Sequence, residues 1–242
     1  MSELVSDFST KVAIVTGSTG ALGGAVTRAL TERGAKLVLL NRSADHLPRR
    51  FPELVDSPDY LLIGQTDLTD PDSVKRAFDD AFRHFGRFDY LINVAGGYKA
   101  GKPLHKTPVE TLDFMLNLNA RSVFLTCQNA IPRMIDSGKG KIVNVAARAA
   151  NSGAANMSAY TASKGAVVRL TESMALELRD NGINVNCVLP GTIDTPNNRE
   201  SMPNANFDRW VTPEAITDVI LFLLSEQARA ISGAAVPAYG RS

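Results

Sequence analysis

The stretch from residue 11 to residue 40 restricts this chain more than any other. Lys11-Val12-Ala13-Ile14-Val15-Thr16 is a nearly continuous apolar run rich in β-branched residues. That is the pattern of a strand buried on both faces of a parallel sheet. It runs straight into Gly17-Ser18-Thr19-Gly20-Ala21-Leu22-Gly23-Gly24 and then into a helical repeat carrying Ala25, Val26, Ala29 and Leu30. Gly34 ends the helix, and Lys36-Leu37-Val38-Leu39-Leu40 supplies the next strand. A glycine-rich turn between strand and helix bares backbone N–H groups and the positive helix end, where a phosphate can sit. Strand, turn, helix, strand is the setting that a dinucleotide site demands.

The alternation continues along the chain. Residues 60–64 read as a strand, and Asp67-Leu68 leads to a helix capped at Asp70, with Pro71 in its first turn. Residues 89–94 form a strand that empties into Gly96-Gly97. A long helix is expected over about 108–136, with Asn117 and Asn119 in its middle, and residues 141–145 form the fifth strand. The helix bearing Tyr160 and Lys164 runs to Asn181-Gly182, and the sixth strand, 183–189, stops at Pro190-Gly191. A polar loop reaches Trp210, a helix follows from Thr212 to Leu224, and residues 231–236 form a last strand. The expected fold is α/β: a single doubly wound parallel seven-stranded sheet with helices on both faces, one domain over residues 1–242. In such sheets ligands bind beyond the carboxyl ends of the strands. The Gly17 turn, Asn41-Arg42, Asp67, the Asn93–Gly97 turn, Ala146-Ala147 and Pro190-Gly191 all fall there.

Charge narrows the partners. Twenty-six basic residues oppose twenty-five acidic ones, with no long run of either sign, so neither nucleic acid nor an anionic membrane is an expected partner. No apolar run approaches the ~18 residues of a membrane span. Residues 1–7 carry no apolar signal core, and Cys127 and Cys187 read as small core residues without metal-ligand spacing. A soluble, cytoplasmic protein is expected. His46, His84 and His105 have neither a catalytic serine partner nor a metal cluster around them, so no metal site is expected.

Tyr160 and Lys164 stand four apart in one helix, so both rise from one face and the ammonium can lower the phenol's pKa from its usual ~10. That makes an acid–base group suited to an alcohol, ketone or imine. At the end of the second strand, Asn41-Arg42 lacks the carboxylate that would hold an NAD ribose and offers a guanidinium for a 2′-phosphate, which favours NADP(H) over NAD(H).

With these residues in place the chain resembles the short-chain dehydrogenase/reductase family along nearly its whole length. Thr16-Gly17 to Gly23 is similar to the family's cofactor turn, and Asn93-Val94-Ala95-Gly96 to its Asn-Asn-Ala-Gly. Tyr160 and Lys164 match its catalytic pair, Asn119 its helix asparagine, and Pro190-Gly191 with Thr195 its turn beside the nicotinamide. The resemblance implies a Rossmann-like fold and hydride transfer with NAD(P)(H). Tyr160 would exchange the proton, Lys164 would lower its pKa and bond the ribose, and Asn119 would hold a relay water. The implied cofactor contacts are Gly17, Ser18, Thr19, Gly20, Leu22, Gly23, Asn41, Arg42, Asp67, Leu68, Asn93, Ala95, Gly96, Lys164, Pro190, Gly191, Thr192 and Thr195.

Three departures stand out. Ala21 replaces the middle glycine of the turn, and Val94 replaces an asparagine. Ala147 falls thirteen residues before Tyr160, where the family carries a substrate-polarising serine. Losing such a donor costs ~3 kcal/mol when charge develops on a carbonyl oxygen. Ser152 and Ser158 lie nearby but not at that point. One branch of the family, quinonoid dihydropteridine reductase, also lacks that serine. This chain resembles it at Gly20-Ala21-Leu22-Gly23, Val94-Ala95-Gly96-Gly97-Tyr98 and Asp194-Thr195-Pro196-Asn197-Asn198-Arg199-Glu200-Ser201-Met202-Pro203.

Three functions follow as expectations. The first is reduction of a quinonoid dihydropterin or another activated C=N or C=O substrate. The second is an ordinary ketone, alcohol or 3-oxoacyl reductase, and the third a cofactor-binding regulatory protein with little turnover. A homodimer or homotetramer is implied through the two long helices, although Phe124, Val167, Leu170, Met174 and Leu178 equally suit a monomer core.

Overall fold

The computed structural model describes residues 8–242. The lead at 1–7, in which no signal core is expected, lies outside them. Seven strands form one sheet: β1 (Val12–Thr16), β2 (Lys36–Leu40), β3 (Tyr60–Ile63), β4 (Tyr90–Asn93), β5 (Gly140–Val145), β6 (Ile183–Pro190) and β7 (Ala235–Ala238). Their spatial order is β3-β2-β1-β4-β5-β6-β7, and every neighbouring pair is parallel. The order reverses between β1 and β4, so the carboxyl ends of these two strands open a crevice, the place where such sheets take ligands.

The helices are α1 (Ala21–Glu32), α2 (His46–Arg50), α3 (Pro71–Phe85), α4 (Val109–Met115), α5 (Ser122–Asp136), α6 (Ser158–Glu177), α7 (Pro196–Ser201) and α8 (Pro213–Leu224). Strand side chains alternate between two cores. Val12 and Ile14 pack with α3, α5 and α6, whereas Ala13 and Val15 pack with α1 and α8. Each strand interior is therefore apolar on both faces, which is why β1 reads as an unbroken run. Asp70 caps α3 by accepting from Asp72 N and Ser73 N, and Thr212 caps α8 by accepting from Ala215 N.

Four expectations need correction. The helix over 108–136 is not uniform, because a π-helical segment, Leu116–Arg121, lies between α4 and α5 and contains Asn119. The last strand begins at Ala235 rather than 231. Before that point the segment is tied to β6 by the Asn186 side chain, which donates to Ile231 O at 2.8 Å and accepts from Ala234 N at 3.0 Å, together with the backbone bond from Gly233 N to Val185 O at 2.7 Å. The loop to Trp210 contains α7, capped by Thr195 and started by Pro196. Of the apolar positions on the long helices, Val167, Met174 and Leu178 belong to the core, while Phe124 is exposed.

Polar side chains also cross this interior. Asn93 Nδ2 donates to Asn144 Oδ1 at 2.9 Å, Asn144 Nδ2 donates to Thr171 Oγ1 at 2.9 Å, and Thr126 Oγ1 donates to Asn93 Oδ1 at 2.9 Å. All four residues are buried, and the chain of bonds joins β4, β5, α5 and α6. Asn144→Ala removes two of these bonds and strands the amide of Asn93, so urea unfolding should show a loss of about 2–4 kcal/mol; a loss under about 0.5 kcal/mol would contradict this account of the rung.

Candidate active site

The turn after β1 is shaped by two glycines. Gly17 has φ +65°, and a Cβ there would stand 2.8 Å from Ala95 Cα. A Cβ on Gly23 would overlap the Gly17 carbonyl, whereas at Gly20 it would meet only Gly17 O at 3.4 Å. Ala21 is the first residue of α1, so a methyl at that point leaves the turn intact. No side chain caps α1 and no acidic residue lies in its first turn, which leaves its N–H groups for an anion. The Ser18 hydroxyl is buried without a hydrogen-bond partner among the described residues. These features fit the diphosphate of a dinucleotide.

The ends of β2 and β3 meet this turn. Thr19 Oγ1 donates to Asn41 Oδ1 at 3.0 Å, and Asn41 Nδ2 donates to Ser43 O at 3.0 Å. Asp67 accepts from Thr69 N at 2.9 Å and from Thr69 Oγ1 at 2.7 Å. Those bonds, with a smaller contribution from the Arg42 guanidinium, hold its carboxyl below the usual carboxylate range. Arg42 and Asp67 thus face the same end of the crevice, and Leu68 packs against the core behind them. Asn93 is different. Its side chain is turned inward to Asn144 and Thr126, so it does not offer its amide to a ligand.

Beyond β4 the turn is held by Asn119. Gly97 N donates to Asn119 Oδ1 at 2.9 Å, and Asn119 Nδ2 donates back to Gly97 O at 3.1 Å and to Ser163 Oγ at 2.9 Å. Ser163 Oγ donates in turn to Tyr160 O at 2.7 Å. The π-helical segment brings Asn119 to this position, a common use of such segments. Gly96 is bare toward the same place, since a Cβ there would stand 2.8 Å from Asn119 Oδ1 and 3.1 Å from Lys164 Nζ. The structure therefore brings Gly96, Asn119, Tyr160 and Lys164 together.

The electrostatics at Tyr160 differ from the expectation drawn from spacing alone. Burial, with a smaller contribution from Tyr98, pushes the phenol up to about 12. The Lys164 ammonium is buried, donates to Val145 O at 2.9 Å, and is pulled down to about 8 by burial. The expected lowering of the phenol by Lys164 is not seen: the ammonium is not among the groups that move the phenol, and it is engaged by Val145 O. Ala147, two residues beyond β5, is buried and presents a methyl group. Ser152 is exposed and Ser158 opens α6.

On the β6 side, Gly191 N donates to Ala238 O at 3.1 Å, and Tyr239 and Ser242 pack against the bare face of Gly191. The hydroxyl of Thr195 accepts from Asn198 N at 3.2 Å, and the carbonyl of Thr192 accepts from Val211 N at 3.0 Å. Asp194 and Arg199 pair through two bonds of 2.6 and 2.7 Å, Arg199 lies over the Phe207 ring at 4.8 Å, and Phe207 meets Trp210 at 4.8 Å. This stack borders the crevice and shapes the loop over 194–210. Ser163 and the ring contact between Tyr98 and Tyr160 have no motif in the sequence, since both depend on packing between distant elements. Among the described residues, no group of three or more His, Cys, Asp or Glu side chains could hold a metal ion. No described helix is long and apolar enough to cross a membrane.

The depressed Lys164 has a measurable consequence. Its ordinary value is 10.5, so between about pH 8 and 10.5 the unfolded chain holds a proton that the folded chain does not. The burial cost is complete below pH 8 and fades as pH rises through that window. Denaturant titrations should show Lys164→Met gaining on the wild type by about 3 kcal/mol more at pH 7 than at pH 10.5. A difference that does not move with pH would sink this account.

Comparison with known proteins follows the same line. The sequence model of the family described as short chain dehydrogenase matches residues 11–206. The chain is 34% identical over 239 residues to the 2-(R)-hydroxypropyl-CoM dehydrogenase of Xanthobacter autotrophicus, covering 93% of this chain and 96% of that protein. It is 35% identical over 237 residues to the cis-4-hydroxycyclohexanecarboxylate dehydrogenase of Sinomonas cyclohexanicum, covering 94% of each. The solved structure of a short-chain type dehydrogenase/reductase from Mycobacterium ulcerans superposes with a TM-score of 0.90 at 25% identity, covering 97% of this chain and 90% of that one. The chain belongs to the short-chain dehydrogenase/reductase family of oxidoreductases, whose members work with NAD(P)(H).

Proposed function

We propose that this enzyme reduces an activated C=N or C=O group, a quinonoid dihydropterin being the first candidate, with Tyr160 as proton donor and NADP(H) as the preferred cofactor. The observation that carries the reading is the buried methyl group of Ala147, two residues beyond β5, at the position where the family carries its serine. An acceptor that takes hydride readily needs less polarisation than a simple ketone, so a site without that hydroxyl suits it. The bound nicotinamide supplies or takes up the hydride.

The protein's own groups do the rest. A phenol held near 12 is fully protonated at neutral pH and gives its proton only to a stronger base, such as the nitrogen or oxygen anion that reduction creates. Lys164, which reaches Val145 O and the bare face of Gly96, is proposed to bond the cofactor ribose. Asn119 fixes the Gly97 turn and is proposed to hold a relay water. The Gly17–Gly23 turn with Ser18, Thr19, Gly20 and Leu22 receives the diphosphate, while Asn41, Arg42, Asp67 and Leu68 flank the adenosine. Ala95, Gly96, Pro190, Gly191, Thr192 and Thr195 flank the nicotinamide. A cytoplasmic homodimer or homotetramer is the proposed assembly, with exposed Phe124 on α5 and Leu176 on α6 as candidate contact positions.

A second reading has support of its own. The two relatives compared above are dehydrogenases named for hydroxyl-bearing substrates with a coenzyme M or carboxylate group. An alcohol or ketone substrate carrying an anionic group is therefore the alternative, and Ala147→Ser separates the two. That variant should raise turnover of a simple ketone by tenfold or more under the alternative and change turnover of the quinonoid dihydropterin by less than about threefold under the first reading. Tyr160→Phe should lower turnover of the substrate by at least about a hundredfold; a variant within threefold of wild type would end the proton-donor role. Arg42→Ala should weaken NADPH binding by about tenfold and leave NADH within about twofold, measured by titrating each nucleotide. Equal weakening of both would show that Arg42 does not read the 2′-phosphate.

A further inference from the structure

The inference rests on the reading of Tyr160 as proton donor and concerns the hydroxyl missing at Ala147. Tyr98 lies next to Tyr160. Their ring centroids are 4.9 Å apart at an interplanar angle of 78°, an edge-to-face contact. Tyr98 is 64% exposed, whereas the phenol of Tyr160 is largely withdrawn from water. The hydroxyl of Tyr98 makes no hydrogen bond among the described residues. Its backbone, by contrast, follows a fixed point. Gly97 is bonded in both directions by buried Asn119, and a Cβ on Gly97 would stand 2.6 Å from Leu118 Cδ2. A tyrosine with a free hydroxyl is thus mounted on a clamped turn beside the proton donor.

We propose that Tyr98 is the second hydroxyl donor of this active site, bonding the same substrate oxygen or nitrogen that Tyr160 protonates and filling the role left open at Ala147. In the reduction of a C=O or simple C=N group the hydride of the reduced nicotinamide would form a C–H bond and the π electrons would move to the heteroatom. With a quinonoid dihydropterin the hydride would form an N–H bond at a ring nitrogen and the π electrons would move through the ring to a second heteroatom. The heteroatom takes the phenolic proton of Tyr160. Tyr98 keeps its own proton and donates only a hydrogen bond, and water returns a proton to the Tyr160 phenolate before the next turnover. A phenol is a stronger donor than an aliphatic hydroxyl, and the exposed ring adds a flat surface along which a planar substrate can lie. The small upward push of Tyr98 on the Tyr160 phenol agrees with the two hydroxyls facing one region.

A mere stacking platform would use the ring and ignore the hydroxyl, and Tyr98→Phe separates the two roles. The test uses the full chain with saturating NADPH and quinonoid 6,7-dimethyldihydropterin. It is run beside a titration with 4-nitrophenolate at pH 8, whose oxygen anion imitates the charge that develops on the acceptor and whose absorbance reports binding. We expect Tyr98→Phe to lower kcat by about tenfold or more with KM within about threefold, and to weaken 4-nitrophenolate by about tenfold. Adding Ala147→Ser to Tyr98→Phe should recover most of the lost kcat. Wild-type kcat and wild-type 4-nitrophenolate affinity in Tyr98→Phe would overturn the proposal, as would failure of the wild type to bind 4-nitrophenolate. Absence of pterin turnover in the wild type would remove the proposed substrate instead, and the phenolate titration would still decide Tyr98. Full turnover in Tyr160→Phe would remove the donor role of Tyr160 alone.

Discussion

The buried rung that joins Asn93, Asn144 and Thr171 is the contact on which the site geometry depends. Asn93 and Asn144 are paired positions in the parallel register of β4 and β5. Their amides continue the sheet's own hydrogen bonding sideways into α6 through Thr171, and into α5 through Thr126. Apolar packing alone would let a helix slide along a sheet by fractions of a turn at little cost. A satisfied polar rung inside a low-dielectric core resists such sliding, because any shift leaves amide groups unpaired. The helix carrying Tyr160 and Lys164 is therefore held in register with β4, the strand that leads into Ala95 and Gly96. Without that register, the bare face of Gly96 would not meet Lys164.

A second polar contact repeats the principle one layer nearer the crevice. Asn119 clamps the Gly97 turn and reaches Ser163, whose hydroxyl returns to the Tyr160 carbonyl. The turn after β4, the π-helical segment and the first turn of α6 become one unit. Tyr98 and Tyr160 project from two parts of that unit, so their ring contact follows from backbone bonds and not from the rings alone.

Much of this was legible in residue order. The β1 run with its glycine turn and the alternation that follows lead to the parallel sheet, because strands buried on both faces leave an unbroken apolar signal. Asp70-Pro71 and Thr212-Pro213 mark helix starts by cap chemistry, and both caps are present. What escaped shares one cause, dependence on contacts between residues far apart. The π-helical segment shifts Asn119 without altering composition, and the segment before β7 is tied to β6 in part by the side chain of Asn186. Thr195-Pro196 carries the same cap signal as Thr212-Pro213, yet lies in a stretch polar enough to read as loop. For Asn93 the motif places the residue correctly at a strand end, but only the fold shows its amide turned inward.

The phenol of Tyr160 shows best why spacing and environment must be weighed together. A lysine four residues on argues for a lowered pKa, and in water-accessible surroundings that argument would hold. Burial removes water from both groups, and desolvation opposes each charged form. The ammonium falls to about 8 and the phenol rises to about 12. The two shifts run in opposite directions, and the phenol holds its proton at neutral pH. In the proposed reduction such a phenol serves as the proton donor. The site asks little of the group at Ala147 so long as the acceptor is already activated, and it leaves the exposed hydroxyl of Tyr98 as the group free to steady the charge that forms.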